Sequence, residues 1–177
     1  MRHGQTDWNA GNKRMGQRDV PLNEVGRLQA EATKHIIARF PITHVYHSPL
    51  QRAHETMKIA TELLECEKVV HDLLKEWFLG EWEGTKNMID DGGNPPGGES
   101  EEEFFTRSVQ AVNHILTLAD LPLIVGHSGT YLALKRRLDL LHLPKIRNCE
   151  IAHFIPPKGE RKEWLVQIIS TRLEDDE

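Results

Sequence analysis

A chain of 177 residues, 38% hydrophobic and 28% charged, fits one soluble domain with a buried core rather than a disordered segment. Its formal net charge of -5 argues against nucleic acid, whose phosphates need a basic surface, but leaves room for a small anion in a local basic pocket. Cys66 and Cys149 imply neither a disulfide framework nor a metal pair, and with no signal-like stretch or long apolar run the expectation is a cytoplasmic protein with no membrane partner.

In chain order, Asn23 is an N-cap candidate, and Val25, Leu28, Ala32 and Ile36 then recur at helical spacing. Thr43 to His47 reads as a strand, and Ser48-Pro49 opens a second helix with proline at its first position. Lys68 to His71 is a further short strand. Residues 80–99 carry eight glycines and prolines, among them Gly80, Gly84, Pro95 and Gly98, and read as a lid-like surface loop. Ser100 and Glu103 make a capping box, ahead of a helix with Phe105, Val109, Val112 and Leu116 on one face. Leu121 to Val125 is an apolar strand, Gly126 to Gly129 a tight turn, and a helix follows through Leu141. Cys149 to Ile155 and Trp164 to Ile169 are two final strands, and residues 172–177 are a frayed, solvated tail. Strands alternating with helices predict a single domain over 1–177, a three-layer α/β/α sandwich with a largely parallel sheet. Sites in such sheets lie beyond the carboxyl ends of the strands. That end would gather the chain start, the stretch around Arg52 and the turn at His127.

The chain opens Arg2-His3-Gly4. A guanidinium binds phosphate oxygens at two points, and a neutral imidazole beside it can attack phosphorus. Alone, the tripeptide is no more than a surface turn. Its weight comes from the ordered set that follows: Asn9, Gly16-Gln17-Arg18-Asp19-Val20-Pro21-Leu22, Ser48-Pro49-Leu50-Gln51-Arg52-Ala53, Thr56, Glu76, Trp82-Glu83-Gly84, Pro96-Gly97-Gly98-Glu99-Ser100, Gly126-His127-Ser128-Gly129 and Asn148-Cys149. Over nearly the whole chain this set resembles the phosphoglycerate mutase-like branch of the histidine phosphatases. The resemblance implies a nucleophilic His3, with Arg2, Arg52 and His127 holding the phosphoryl group. It implies phosphate contact by Asn9, substrate contact by Gln17 and Ser128, and a proton donor at Glu76. It implies no metal and no cofactor, and the expected partner is a small phosphorylated substrate. These roles also make physical sense, because phosphoryl transfer is governed by electrostatic stabilisation of the transferring oxygens. They ask for a neutral His3 and a charged His127.

Weighed against this, His44 and His47 look like a metal pair, but their spacing on a strand sends them to opposite faces. Glu81, Glu83 and Glu99 read as solvated carboxylates, and Trp8 and Trp82 as packing residues. A serine hydrolase using Ser128 is a competing class. It fails the nucleophile-elbow pattern, since Thr130 stands where the last glycine belongs. A phosphomutase is the nearer rival, and it would need basic residues to grip a substrate carboxylate. Between Glu76 and Arg107 the chain offers only Lys86, which favours a phosphatase, and the pattern is also similar to that of α-ribazole phosphatases and broad-specificity sugar-phosphate phosphatases. The resemblance also carries an apolar strand ahead of Arg-His-Gly. Only Met1 precedes Arg2 here, so the expectation is a native reading frame extending upstream.

Overall fold

The computed structural model describes residues 1–86 and 93–170. A single helical turn, α1 (Asp7–Ala10), follows the chain start. Then come α2 (Glu24–Ile37), β1 (His44–His47), α3 (Gln51–Ala60), β2 (Glu67–Val70), α4 (Glu101–Leu118), β3 (Pro122–Val125), α5 (Ser128–Arg137), β4 (Ile151–Ile155) and β5 (Leu165–Ile169). The strands β2-β1-β3 form a parallel sheet, with His44 opposite both Glu67 and Pro122, and β4-β5 form an antiparallel pair. Side chains alternate along β1. Val45 joins a core cluster with Ala30, Ile37, Met57 and Ala60 of α2 and α3, while Tyr46 joins Ala111 and Ile115 of α4 on the other face. This is the α/β sandwich expected from the alternation of elements.

The helices begin where local chemistry says they should, but two bury a different face from the one expected. Asn23 caps α2 through Gly26 N–H, and Ser100 with Glu103 forms the capping box of α4. In α2 the buried residues are Gly26, Ala30, Thr33, Lys34 and Ile37, and Val25 and Leu28 are exposed. Close approach decides this, because a Cβ on Gly26 would sit 2.1 Å from the Gln5 carbonyl oxygen. In α4 the buried face is Phe104, Ser108, Ala111, Val112 and Ile115, and Leu116 is exposed. Pro49 is not the first helical residue: Leu50 is the N-cap of α3, and Asp19 reaches across to accept from Gln51 N–H at 2.7 Å. The last long helix stops at Arg137, short of Leu141, and the next strand starts at Ile151, after Cys149 turns with φ of 57°. The 80–99 stretch contains a 3-10 turn at Gly80–Trp82 and is tied back by Glu81 N–H to the Pro96 carbonyl. Residues 87–92 of that loop and the 172–177 tail lie outside the described residues.

The two sheets are joined by the chain start. Gly126 N–H donates to the Met1 carbonyl, His3 N–H to the Gly126 carbonyl, Arg2 N–H to the Glu150 carbonyl and Cys149 N–H to the Arg2 carbonyl. Met1 to His3 thus runs parallel to the end of β3 and delivers His3 beyond its carboxyl terminus. Behind Met1, between β3 and β4, lies an apolar cavity of about 560 Å³ whose walls include Ile37, Leu123, Tyr131, Phe154 and Ile169. The terminal amine points into this region and donates to the Ile124 carbonyl at 2.9 Å, and burial pushes its pKa down to about 5.

Candidate active site

Four basic side chains converge at the carboxyl end of the parallel sheet. His3 arrives on the segment beside β3, Arg52 on the first turn of α3, His127 at the N-cap of α5, and Arg2 one residue before His3. His3, Arg52 and His127 are all buried, and the two imidazole centroids lie 5.2 Å apart. Gly4 follows His3 without a side chain because Gly26 presses against it: a Cβ there would stand 2.4 Å from the Gly26 carbonyl oxygen. Gly4 N–H is fixed in turn by the Thr56 hydroxyl at 2.9 Å.

The tautomer of His3 follows from its contacts. Nδ1 lies 2.7 Å from the Gly4 carbonyl, an acceptor only, so Nδ1 carries the proton. Nε2 then presents its lone pair and accepts from Arg52 Nε at 3.2 Å. Desolvation, followed by the charges of Arg52 and Arg2, holds His3 well below the ordinary histidine range. The ring is therefore neutral, with its Nε2 lone pair held by Arg52 Nε–H.

Arg52 is fully buried and donates to the Gly16 carbonyl at 2.8 Å and the Arg18 carbonyl at 2.9 Å. With the bond to His3, three of its five N–H groups are engaged, and two remain for an anion. Burial lowers its pKa to about 10, so it stays charged at neutral pH. Arg2 donates to the Ile146 carbonyl at 2.9 Å, while its buried Nε has no hydrogen-bond partner among the described residues. His127 Nε2 lies 2.8 Å from the Ser48 hydroxyl, and its buried Nδ1 likewise has no partner there. Unpaired buried polar atoms are costly. Two of them beside a half-used guanidinium mark a seat for an oxyanion.

His127 differs from the expected charged state. Desolvation, then Arg52, His3 and Arg2, depress its pKa well below the ordinary range, so both imidazoles are neutral. Every charge that acts on His127 is positive, Arg107 included.

Glu76 lies in irregular chain after a 3-10 turn at Asp72–Leu74. One carboxylate oxygen accepts from Trp77 N–H at 2.9 Å and the other from Gly129 N–H at 3.2 Å, at the start of α5. The carboxylate acts electrostatically on both Arg2 and Arg52, which places it at the same centre. Gly129 is required there, since a Cβ would stand 2.1 Å from Glu76 Oε1. Ser128 is exposed, and its hydroxyl is 3.4 Å from Glu76 Oε2. Asn9 accepts through its side-chain oxygen from Thr6 N–H at 3.1 Å and Asn148 Nδ2 at 3.3 Å, which leaves contact with an anion to its amide nitrogen. Gln17 Nε2 donates to the Glu76 main-chain carbonyl at 3.0 Å.

All the residues expected at the site are brought to one region, and others join them. Ser48, Thr56 and Asn148 orient His127, Gly4 and the His3 carbonyl respectively. Thr56 and Asn148 stand in the ordered motif set, but their partners are far apart in sequence and only the fold reveals them. Glu83, read from sequence as solvated, is nearly buried and accepts from Gln17 N–H at 2.7 Å while pairing with Arg18. Glu99, also read as solvated, pairs with Arg107. No group of three or more metal-binding side chains occurs among the described residues. No helix among them is long and apolar enough to cross a membrane.

A pair of histidines and a pair of arginines meet at one buried centre, an arrangement able to hold an oxyanion. The chain belongs to the histidine phosphatase superfamily (branch 1), whose family model matches residues 1–155. Among curated relatives, it is 31% identical to a probable phosphoglycerate mutase GpmB of Photorhabdus laumondii, over 86% of this chain and 81% of that one. It is 32% identical to the protein of the same name from Serratia proteamaculans, over 93% and 86%. Among solved structures, the mycobacterial glucosyl-3-phosphoglycerate phosphatase with VO3 superposes with a TM-score of 0.82 at 26% identity, covering 97% of both chains. TTHB049 from Thermus thermophilus, at 24% identity and a TM-score of 0.76 over 97% of both chains, shares the fold. These relationships mark the chain as a phosphatase or mutase enzyme.

Proposed function

We propose that this protein is a phosphomonoester phosphatase that works without a metal through a phosphohistidine at His3. The observation that carries the reading is the lone pair of His3 Nε2, held neutral and buried, with Arg52 Nε 3.2 Å away and His127 beside it. A substrate dianion would enter the seat between Arg2, Arg52 and His127, and its charge would draw a proton onto His127. Nε2 gives up the hydrogen bond from Arg52 Nε, which passes to a phosphoryl oxygen, and attacks phosphorus, forming the N–P bond while the bond to the leaving oxygen breaks. The carboxylic acid of Glu76 gives that oxygen its proton. The Gly4 carbonyl, bonded to Nδ1–H, steadies the positive charge that grows on the ring. Water then attacks phosphorus, the Glu76 carboxylate takes its proton, and the N–P electron pair returns to Nε2. Asn9, Gln17 and Ser128 line the approach as substrate contacts.

The substrate we infer is a small phosphorylated metabolite of the α-ribazole phosphate or sugar phosphate type, met in the cytoplasm. An open cavity beside the Glu76 segment is lined by Phe78, Glu102, Glu103, Arg107 and Gln110, and because Arg107 is already paired with Glu99 its remaining charge is negative, which suits an uncharged leaving portion better than a carboxylate. The relatives' names favour a second reading, a phosphoglycerate mutase. Assay of p-nitrophenyl phosphate hydrolysis in excess EDTA, on the native chain and His3→Ala, tests the first reading. Activity that survives EDTA and is lost in the variant supports it; equal activity in both refutes it. Interconversion of phosphoglycerates faster than release of inorganic phosphate would establish the mutase instead.

A further inference from the structure

We propose that Arg107 is a positioning residue that, held by Glu99, fixes the Glu76 carboxylate at the leaving oxygen. The inference rests on the reading of Glu76 as the proton donor.

The segment carrying Glu76 has no ladder to hold it. β2 ends at Val70, a 3-10 turn covers Asp72–Leu74, and the chain then runs without regular structure to Gly80. Arg107, on α4, supplies the missing anchors. Its Nη1 donates to the Leu73 carbonyl at 2.9 Å and the Lys75 carbonyl at 2.7 Å, and its Nη2 to the Glu76 carbonyl at 3.0 Å. The remaining bonds go to Glu99: Nη2 to Oε2 at 2.8 Å, and Nε to Oε1. Those five bonds match the five N–H groups of a guanidinium. Arg107 therefore has no donor left for a substrate anion, and it acts through the chain it grips.

Glu99 is bound to the same segment independently. Its carbonyl accepts from Trp77 Nε1 at 2.7 Å, its N–H donates to the Phe78 carbonyl at 2.9 Å, and Trp77 stacks on Phe104 with ring planes 5° apart. Gln17 Nε2 also reaches the Glu76 carbonyl, so that carbonyl has two donors. Both charged partners are largely buried, with side chains 17% and 15% exposed, so solvent screens the pair far less than a surface ion pair. A lysine at 107 has the charge but not the planar fork, and cannot span three carbonyls and a carboxylate together.

The test uses two substrates that differ in their need for a proton. p-Nitrophenolate leaves unprotonated; a simple alkoxide does not. General acid catalysis contributes about 10²–10⁴-fold, so Arg107→Gln should lower kcat/KM, which reports transfer to His3 and not the later attack of water, by about 10-fold or more on an alkyl phosphate and by no more than about 3-fold on p-nitrophenyl phosphate. Glu76→Gln should show the same selectivity, more strongly, and adding Arg107→Gln to Glu76→Gln should cause no further loss on the alkyl ester. Equal losses on both substrates in Arg107→Gln, with Glu76→Gln still selective, would show that Arg107 only supports the fold, and would overturn the proposal. Equal losses in Glu76→Gln itself would instead remove Glu76 as the acid. If Arg107→Gln does not melt cooperatively, Glu99→Gln, which keeps the guanidinium and weakens its anchor, is read in its place with the same two outcomes.

Discussion

Arg52 Nε donates to His3 Nε2 across 3.2 Å, so the guanidinium that awaits the phosphate also fixes the ring that would attack it. The same side chain closes the loop at Gly16 and Arg18. Arg52→Ala therefore loses two things. Removing one strong electrostatic donor typically costs about 10²–10³ in kcat, and the buried Gly16 carbonyl left unpaired costs about 1–3 kcal/mol, while the Arg18 carbonyl keeps Val20 N–H. Arg52→Lys should recover part of the stability and little of the rate. Steady-state kinetics and urea melts read the two effects separately. A full-rate Arg52→Ala would contradict the geometry.

The two buried histidines should destabilise the fold in acid. His3 and His127 have folded pKa values well below their unfolded value, so below about pH 6.5 the unfolded chain binds more protons than the folded one. Their contribution is complete above that pH and is lost as pH falls through it. Melting temperatures should drop steeply between about pH 7 and pH 5, and His127→Asn should flatten the slope. Saturating phosphate should protect at acid pH by drawing a proton onto His127 in the complex. Equal slopes for native chain and variant would remove His127 from the titrating set.

Activity should follow a bell-shaped pH profile. The acid limb is protonation of His3, and the alkaline limb is loss of the proton on His127 in the complex. kcat measured across the range, with His127→Asn losing the alkaline limb, checks this. A rate independent of pH from acid to neutral would count against the assignment.

Gly129→Ala places a methyl group 2.1 Å from Glu76 Oε1 and 2.6 Å from Phe104 Cζ. Either the carboxylate or the ring must move. Overpacking of this kind costs about 1–3 kcal/mol, and displacement of an acid by about 1 Å can cost about 10²-fold in rate. A chain with native melting temperature and native activity on alkyl phosphates would show that Glu76 tolerates displacement.

Much of the site is legible in sequence because it is written in local blocks. Arg2-His3-Gly4, the run to Arg52 and the turn at His127 each sit at an element terminus that turn chemistry and apolar runs locate. Glu76 is legible only by its place in the ordered set, since no ladder or cap marks it. The partners of these residues are not local. Thr56 beneath Gly4, Asn148 on the His3 carbonyl and Arg107 under Glu76 act over separations of 52, 145 and 31 residues. The buried faces of α2 and α4 differ from their apolar periodicity for a related reason. Val25, Leu28 and Leu116 are apolar and regularly spaced, yet close backbone approach at Gly26 and the seating of Phe104 rotate them toward solvent.

The cavity behind Met1 predicts how the chain responds to added residues. A short run of apolar residues ahead of Met1 would continue its parallel course beside β3, replace a buried amine with a peptide group and cover apolar walls. The extended chain should melt several degrees higher, and a polar Gly/Ser extension of equal length should not. Equal melting of the two would show that the cavity does not accept a strand.

The central claim is a covalent bond between phosphorus and His3 Nε2. Mixing the protein rapidly with substrate and quenching in alkali, which spares phosphohistidine, allows the modified peptide to be found by mass spectrometry. The account predicts one phosphoryl group, on the peptide containing His3, appearing within a single turnover and absent from His3→Ala. Phosphate on Ser128 or His127 instead, or turnover with no phosphorylated peptide at any time point, would contradict it.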